Sequence, residues 1–219
     1  MNQSIQIIPS LLVDSEDQFL KNYQGLEDSV AMIQIDIADG VFVESKTWAD
    51  PAVIKKTVTI DCELHLMVES PMQELKKWQA VEQVKRILVH YESLKDLRAV
   101  MPTLHAYGWE IGLVLNPETS IDVLEPYIGD IRRVMFMGVQ PGKQGQAFIP
   151  ETLNRIRALK QKHPAMIIAV DGAVNEQTLS DLIAAGADAI CPGSAIFGNE
   201  HTPSENVQRM QEMIQSLTV

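Results

Sequence analysis

The chain has 219 residues, 46% of them apolar and 21% charged, a balance that excludes a disordered or fibrous polymer. Lys and Arg number 18 against 29 Asp and Glu, and the net charge of −11 argues against broad nucleic-acid binding and against attraction to an anionic membrane. A small phosphorylated ligand stays open, because backbone amides at helix N-termini hold phosphate without net positive charge. The two cysteines, Cys62 and Cys191, imply no disulfide framework and point to a reducing cytoplasm. Met1-Asn2-Gln3-Ser4 has neither a basic nor a long apolar segment, so no signal peptide is expected. No apolar run reaches the roughly 18 residues of a membrane span.

Eight short apolar, β-branched runs follow one another at 5–8, 32–37, 62–67, 87–89, 111–115, 134–137, 166–170 and 189–191. Several are apolar almost throughout, which suits parallel strands covered on both faces. Helical patterns lie between them. One at 16–26 follows Asp14-Ser15, one at 72–78 follows Ser70-Pro71, and others span 94–106 after Ser93 and 120–124 after Glu118-Thr119. Further patterns cover 149–162, 178–185 ending at Gly186, and 203–217. This alternation predicts a (β/α)8 barrel, with a doubly wound open sheet as the structural alternative. No linker or composition shift divides the chain, so a single domain over 1–219 is expected.

In such a barrel, chemistry sits at the C-terminal ends of strands. The first strand leads to Ser10, either a ligand contact or a turn residue. On the second, Gln34, Asp36 and Ala38 share one face by period-two alternation, and an inward Asp among apolar neighbours is costly unless paired or functional. Asp39-Gly40 reads as an ordinary turn. His65 stands among apolar residues on the third strand, where a lone histidine is usually a hydrogen-bonded core residue. A pairing with Asp36 changes that reading. His90-Tyr91-Glu92 and Asn116-Pro117 end the fourth and fifth strands with weak specificity. The sixth leads into a loop rich in glycine and amides, 138–146, suited to a lid or a phosphate clasp. Asp171-Gly172 ends the seventh. Gly193-Ser194 after the eighth opens a short helix at a usual phosphate position of this fold.

Taken in order, these segments resemble the ribulose-phosphate 3-epimerase family over nearly the whole chain. The resemblance is carried by Pro9-Ser10, Ile35-Asp36-Ile37 with Asp39-Gly40, His65-Leu66-Met67, Leu115-Asn116-Pro117, Gln140-Pro141-Gly142, Gly145-Gln146, Phe148-Ile149-Pro150, Val170-Asp171-Gly172, Ala185-Gly186-Ala187-Asp188 and 193–197. It implies a (β/α)8 barrel of the ribulose-phosphate binding type that inverts C3 of a ketose phosphate, D-ribulose 5-phosphate to D-xylulose 5-phosphate or a close analogue, through an enediolate. It implies Asp36 and Asp171 as the acid/base pair. Inversion requires two groups in opposite protonation states, since one base returns a proton only to the face it came from. It also implies a divalent metal (Zn, Fe, Mn or Co) on Asp36, His65 and Asp171, with Gln34 as the weak fourth member. Ser10, Met67 and Met137 would line the substrate. Gly142, Gly145, Gly172, Gly193 and Ser194 would hold its phosphate. Lys143, which interrupts the family's loop, is either a direct charge contact to that phosphate or a solvated loop lysine. A homo-oligomer is the family expectation.

The departures cluster at the mouth. Gln34 stands where the family has histidine, Ala38 where it has methionine, and Ala173 where it has a second glycine. Residues 41–45 and the Lys143-Gln144 pair also differ from its pattern. Two other functions stay open at this point. One is a different isomerase or aldol-type reaction on a sugar phosphate. The other is a non-catalytic sugar-phosphate-binding relative.

Overall fold

The apolar runs form strands because β-branched side chains suit a pleated surface buried on both faces. In the computed structural model, which describes residues 5–142 and 145–217, every strand pairing is parallel. Strand β1 comes in two pieces, Gln6–Ile7 and Ser10–Leu11. Pro9 between them has no amide hydrogen to give a ladder, yet its carbonyl accepts from Gln34 N at 2.9 Å. Then follow β2 (Met32–Ala38), β3 (Asp61–Met67), β4 (Val84–His90), β5 (Glu110–Leu115), β6 (Arg133–Met137), β7 (Ile167–Asp171) and β8 (Ala189–Cys191). The first piece of β1 pairs with β8 and the second with β2. The row of nine strand segments therefore closes on itself through β1, as an eight-stranded barrel rather than an open sheet.

The helices are α1 (Glu16–Tyr23), α2 (Pro51–Thr57), α3 (Pro71–Leu75), α4 (Leu97–Ala106), α5 (Glu151–Lys162), α6 (Glu176–Ala185), α7 (Ser194–Phe197) and α8 (Pro203–Leu217). Three differ from the sequence expectation. Helix α2 has no counterpart in it: Asp50 caps two amides and Pro51 opens the helix, but seven residues ending in Lys55-Lys56-Thr57 are too few to show a period. Helix α4 starts after Asp96, whose carboxylate accepts from Ala99 N, and not after Ser93, which closes a separate 3-10 turn. Ile121–Tyr127 is a 3-10 segment containing Pro126 rather than an α-helix.

Period-two alternation sorts the side chains into two cores. Ile33, Ile35, Ile37, Leu64 and Leu66 face the helices, while Ile8, Met32, Leu88, Val114, Met135 and Ala169 fill the barrel. The N-terminal half of the barrel also holds an ionic network in which Glu63, Arg86 and Arg133 are buried and Glu110 is partly exposed. Arg86 donates to Glu63 and Glu110, and Arg133 donates to Glu110. The C-terminal half holds the remaining inward polar groups.

Candidate active site

Strand register brings the first pair together: Asp36 on β2 lies opposite His65 on β3. The end of β2 is braced by Thr47, whose hydroxyl donates to Asp36 O at 2.8 Å and accepts from Ala38 N at 2.9 Å. Asp171 ends β7, and its carbonyl accepts from Gly138 N at 2.6 Å. A Cβ on Gly138 would stand 2.3 Å from Gly172 O, so only glycine lets the β6 loop approach β7 this closely. Both carboxylates and the imidazole are buried.

Two side chains bridge the carboxylates. His65 Nδ1 lies 2.9 Å from Asp36 Oδ1 and 3.2 Å from Asp171 Oδ2. Gln34 Nε2 donates to Asp36 Oδ1 at 2.9 Å and to Asp171 Oδ2 at 2.8 Å. Burial, then the neighbouring Asp171 charge, pushes the Asp36 carboxyl up from its ordinary range against the hydrogen bonds it receives. Burial alone would lower the His65 pKa, but hydrogen bonds to Asp171 and Asp36 and their charges raise it to about 10. The expected inward face of β2 and the pairing of His65 with Asp36 are thus both present.

Behind His65 stands a residue that sequence reasoning left aside. His90 Nε2 lies 2.9 Å from His65 Nε2, and the two rings stack at 5.1 Å between centroids. One of these nitrogens donates and the other accepts. Burial lowers the His90 pKa to about 4, so His90 is the neutral acceptor and the charged His65 the donor. Glu92 Oε2 lies 3.5 Å from His90 Nδ1, and the Phe42 ring covers His90 at 4.9 Å between centroids. Polar density at the end of β4 was the available signal.

Above the carboxylates opens a cavity of about 260 Å³. Its walls include Ser10, Met67, Met137, Gly142, Gly145, Gly172, Gly193 and Ser194, so the expected lining residues meet in one place. Lys143 lies outside the described residues. Leu12, Val139, Gln146 and Val174 also line it and were missed, being apolar or amide residues in loops, without a pattern of their own. Asp39 behaves as a turn residue. Its Oδ1 accepts from Val41 N and Phe42 N, and its Oδ2 from Glu69 N, which ties the loops after β2 and β3 together. Gly142, at φ +88°, packs so closely on Val43 that a Cβ would stand 2.6 Å from it.

The donor set fits a divalent cation. Asp36, His65 and Asp171 each offer one ligand atom, all within 4.8 Å of one another and all buried. The Gln34 carbonyl Oε1 is a further buried oxygen, with no hydrogen-bond partner among the described residues.

The Ribulose-phosphate 3 epimerase family model matches residues 6–197. Ribulose-phosphate 3-epimerase of Bacillus subtilis is 31% identical over 202 residues, covering 89% of this chain and 93% of the relative. Ribulose-phosphate 3-epimerase of Chlamydia muridarum is 30% identical over 204 residues, covering 89% of each. Among solved structures, orotidine 5'-monophosphate decarboxylase from Sulfolobus solfataricus superposes with a TM-score of 0.68 at 14% identity, covering 98% of this chain and 100% of the other. That likeness supports the barrel fold alone. With the family model spanning nearly the whole barrel and relatives at this identity, the chain belongs to the ribulose-phosphate 3-epimerase family.

Proposed function

We propose that this chain is a ribulose-phosphate 3-epimerase that interconverts D-ribulose 5-phosphate and D-xylulose 5-phosphate by proton transfer at C3. The observation that carries this reading is the buried carboxylate pair, Asp36 and Asp171, bridged by Gln34 and His65 beneath a glycine-rimmed cavity. One carboxylate takes the C3 proton and the other, protonated, delivers one to the opposite face. Burial and the neighbouring Asp171 charge push the Asp36 carboxyl up, which disfavours its ionised form. A divalent cation held by Asp36, His65 and Asp171, with Gln34 beside them, would supply Lewis-acid stabilisation of the charge developing on the substrate oxygens. Met67 and Met137 present apolar walls to the reacting carbons, and Ser10 offers a hydroxyl at the cavity rim. The phosphate is assigned to the backbone around Gly142, Gly145, Gly172, Gly193 and Ser194.

An aldol-type reaction and a purely binding role are not favoured, because both carboxylates are retained, buried and bridged. The two buried free thiols fit a cytoplasmic setting, and no helix among the described residues is long and apolar enough to cross a membrane. A homo-oligomer is the accompanying expectation, to be read by light scattering on the eluting protein. The deciding experiment is proton NMR of D-ribulose 5-phosphate in D₂O with the purified protein and Mn²⁺ or Zn²⁺. Loss of the C3 proton signal with appearance of xylulose 5-phosphate is expected. A C3 signal that persists with both metals overturns the reading.

A further inference from the structure

Gln34 Nε2 touches every member of the cation-ligating group. It lies 2.9 Å from Asp36 Oδ1, 2.8 Å from Asp171 Oδ2 and 3.4 Å from His65 Nδ1. A neutral donor with two hydrogens therefore spans the two carboxylates. The other end of the same amide, Oε1, is fully buried and has no hydrogen-bond partner among the described residues. The two ends of a glutamine amide have nearly the same shape, so a half-turn exchanges donor for acceptor within the same volume.

We propose that Gln34 is a two-position element of the cation site. With Nε2 inward it holds the carboxylates together, and with Oε1 inward it is the fourth donor to a divalent cation on Asp36, His65 and Asp171. The loaded set then contains three oxygens and one imidazole nitrogen. Such a set favours harder cations of the Mn²⁺ class, relative to a set with two imidazoles, which favours Zn²⁺, Fe²⁺ and Co²⁺. The half-turn gives the carbonyl the cation as its partner, and the carboxylates exchange amide hydrogens for the cation. Nε2 in turn gives up its two acceptors and moves into the buried position that Oε1 leaves. The inference rests on reading Asp36, His65 and Asp171 as the epimerase site, but its test does not depend on turnover.

The test is calorimetric titration of MnCl₂ and of ZnCl₂ into chelator-stripped protein, for the wild type, Gln34→Leu and Gln34→His. Thermal unfolding of each stripped protein verifies the fold. The wild type is expected to take one Mn²⁺. Gln34→Leu should weaken Mn²⁺ binding tenfold or more. Gln34→His should shift the affinity ratio toward Zn²⁺ by tenfold or more, and it serves alone if the leucine variant does not fold. Unchanged Mn²⁺ affinity in Gln34→Leu overturns the proposal, as does an unchanged Zn²⁺/Mn²⁺ ratio in Gln34→His. A wild type that binds no Mn²⁺ while Gln34→His does also overturns it, because the amide then excludes the cation. Metal binding as expected without C3 exchange would leave the Gln34 assignment standing and remove the epimerase reading.

Discussion

Exchanging Asp36 or Asp171 for asparagine preserves shape and the capacity to accept a hydrogen bond but removes the transferable proton. A positioned acid or base contributes roughly 10²–10⁴-fold, so each variant should lose at least 10²-fold in C3 proton exchange, measured by NMR in D₂O. A variant retaining full exchange would remove that residue from the chemistry. His90 makes a subtler case, since it acts through His65. His90→Phe keeps a ring on the stack but removes the acceptor for His65 Nε2, and supporting groups of this kind are typically worth 10–100-fold. We expect a kcat lower by about that factor with KM little changed, and substantial recovery in His90→Gln, which restores an acceptor. Equal loss in both variants would mean a packing role alone. Asp36 was legible because an acid in an apolar strand needs a reason. His90 was not, because its reason is a second histidine 25 positions earlier that only strand pairing brings near.

Elements were legible where one physical requirement dominated. Each of the eight barrel strands overlaps one of the apolar runs, because the face turned to the helices is apolar even where Gln34, Asp36, Glu63 and His65 alternate inward. The second piece of β1, Ser10–Leu11, lies beyond its run. Short helices with mixed surfaces were harder, and α2 was missed for that reason. The Glu63–Arg86–Glu110–Arg133 network was also out of reach, because charged residues in a sequence read as surface. It links β3 through β6 within the barrel, and Arg86 is its hub. Burial pushes the Glu63 carboxyl up, and Arg86 opposes that shift. Removing one partner of a buried pair costs about 3–5 kcal/mol. Arg86→Met should therefore lower Tm by roughly 10 °C, at about 2–4 °C per kcal/mol for a chain of this size. Adding Glu63→Gln should recover part of the loss, because the uncompensated buried charge disappears. A Tm for Arg86→Met within a degree of the parent would show that the network carries no net stability.

Across the whole molecule, the buried histidine pair sets a pH window for folding. In the folded, metal-free protein His65 keeps its proton to about 10, against an ordinary 6.5. A base whose pKa rises on folding contributes fully below its unfolded value, and the contribution is lost as pH climbs through the folded value. Between 6.5 and about 10 this one group should therefore lower stability steadily as pH rises. His90 acts on the acid side. Burial holds its pKa at about 4, so the folded state prefers it neutral and stability falls as pH drops from 6.5 toward 4. Glu92 and Glu110 add to the acid loss. Burial opposes their ionisation, but the nearby His90 imidazole and the Thr119 hydroxyl for the one, and the Arg86 guanidinium for the other, hold both carboxyls below the ordinary 4.5. Burial also raises the Cys62 and Cys191 thiols, so their ionisation in the unfolded chain adds a further loss above pH 9. The Tm of chelator-stripped protein should thus peak near pH 6.5 and fall on both sides. His65→Asn should flatten the curve from 6.5 to 9 and leave the thiol-driven fall above it. A parent protein whose Tm stays level from pH 6.5 to 9 would show that no charged imidazole bridges the two carboxylates.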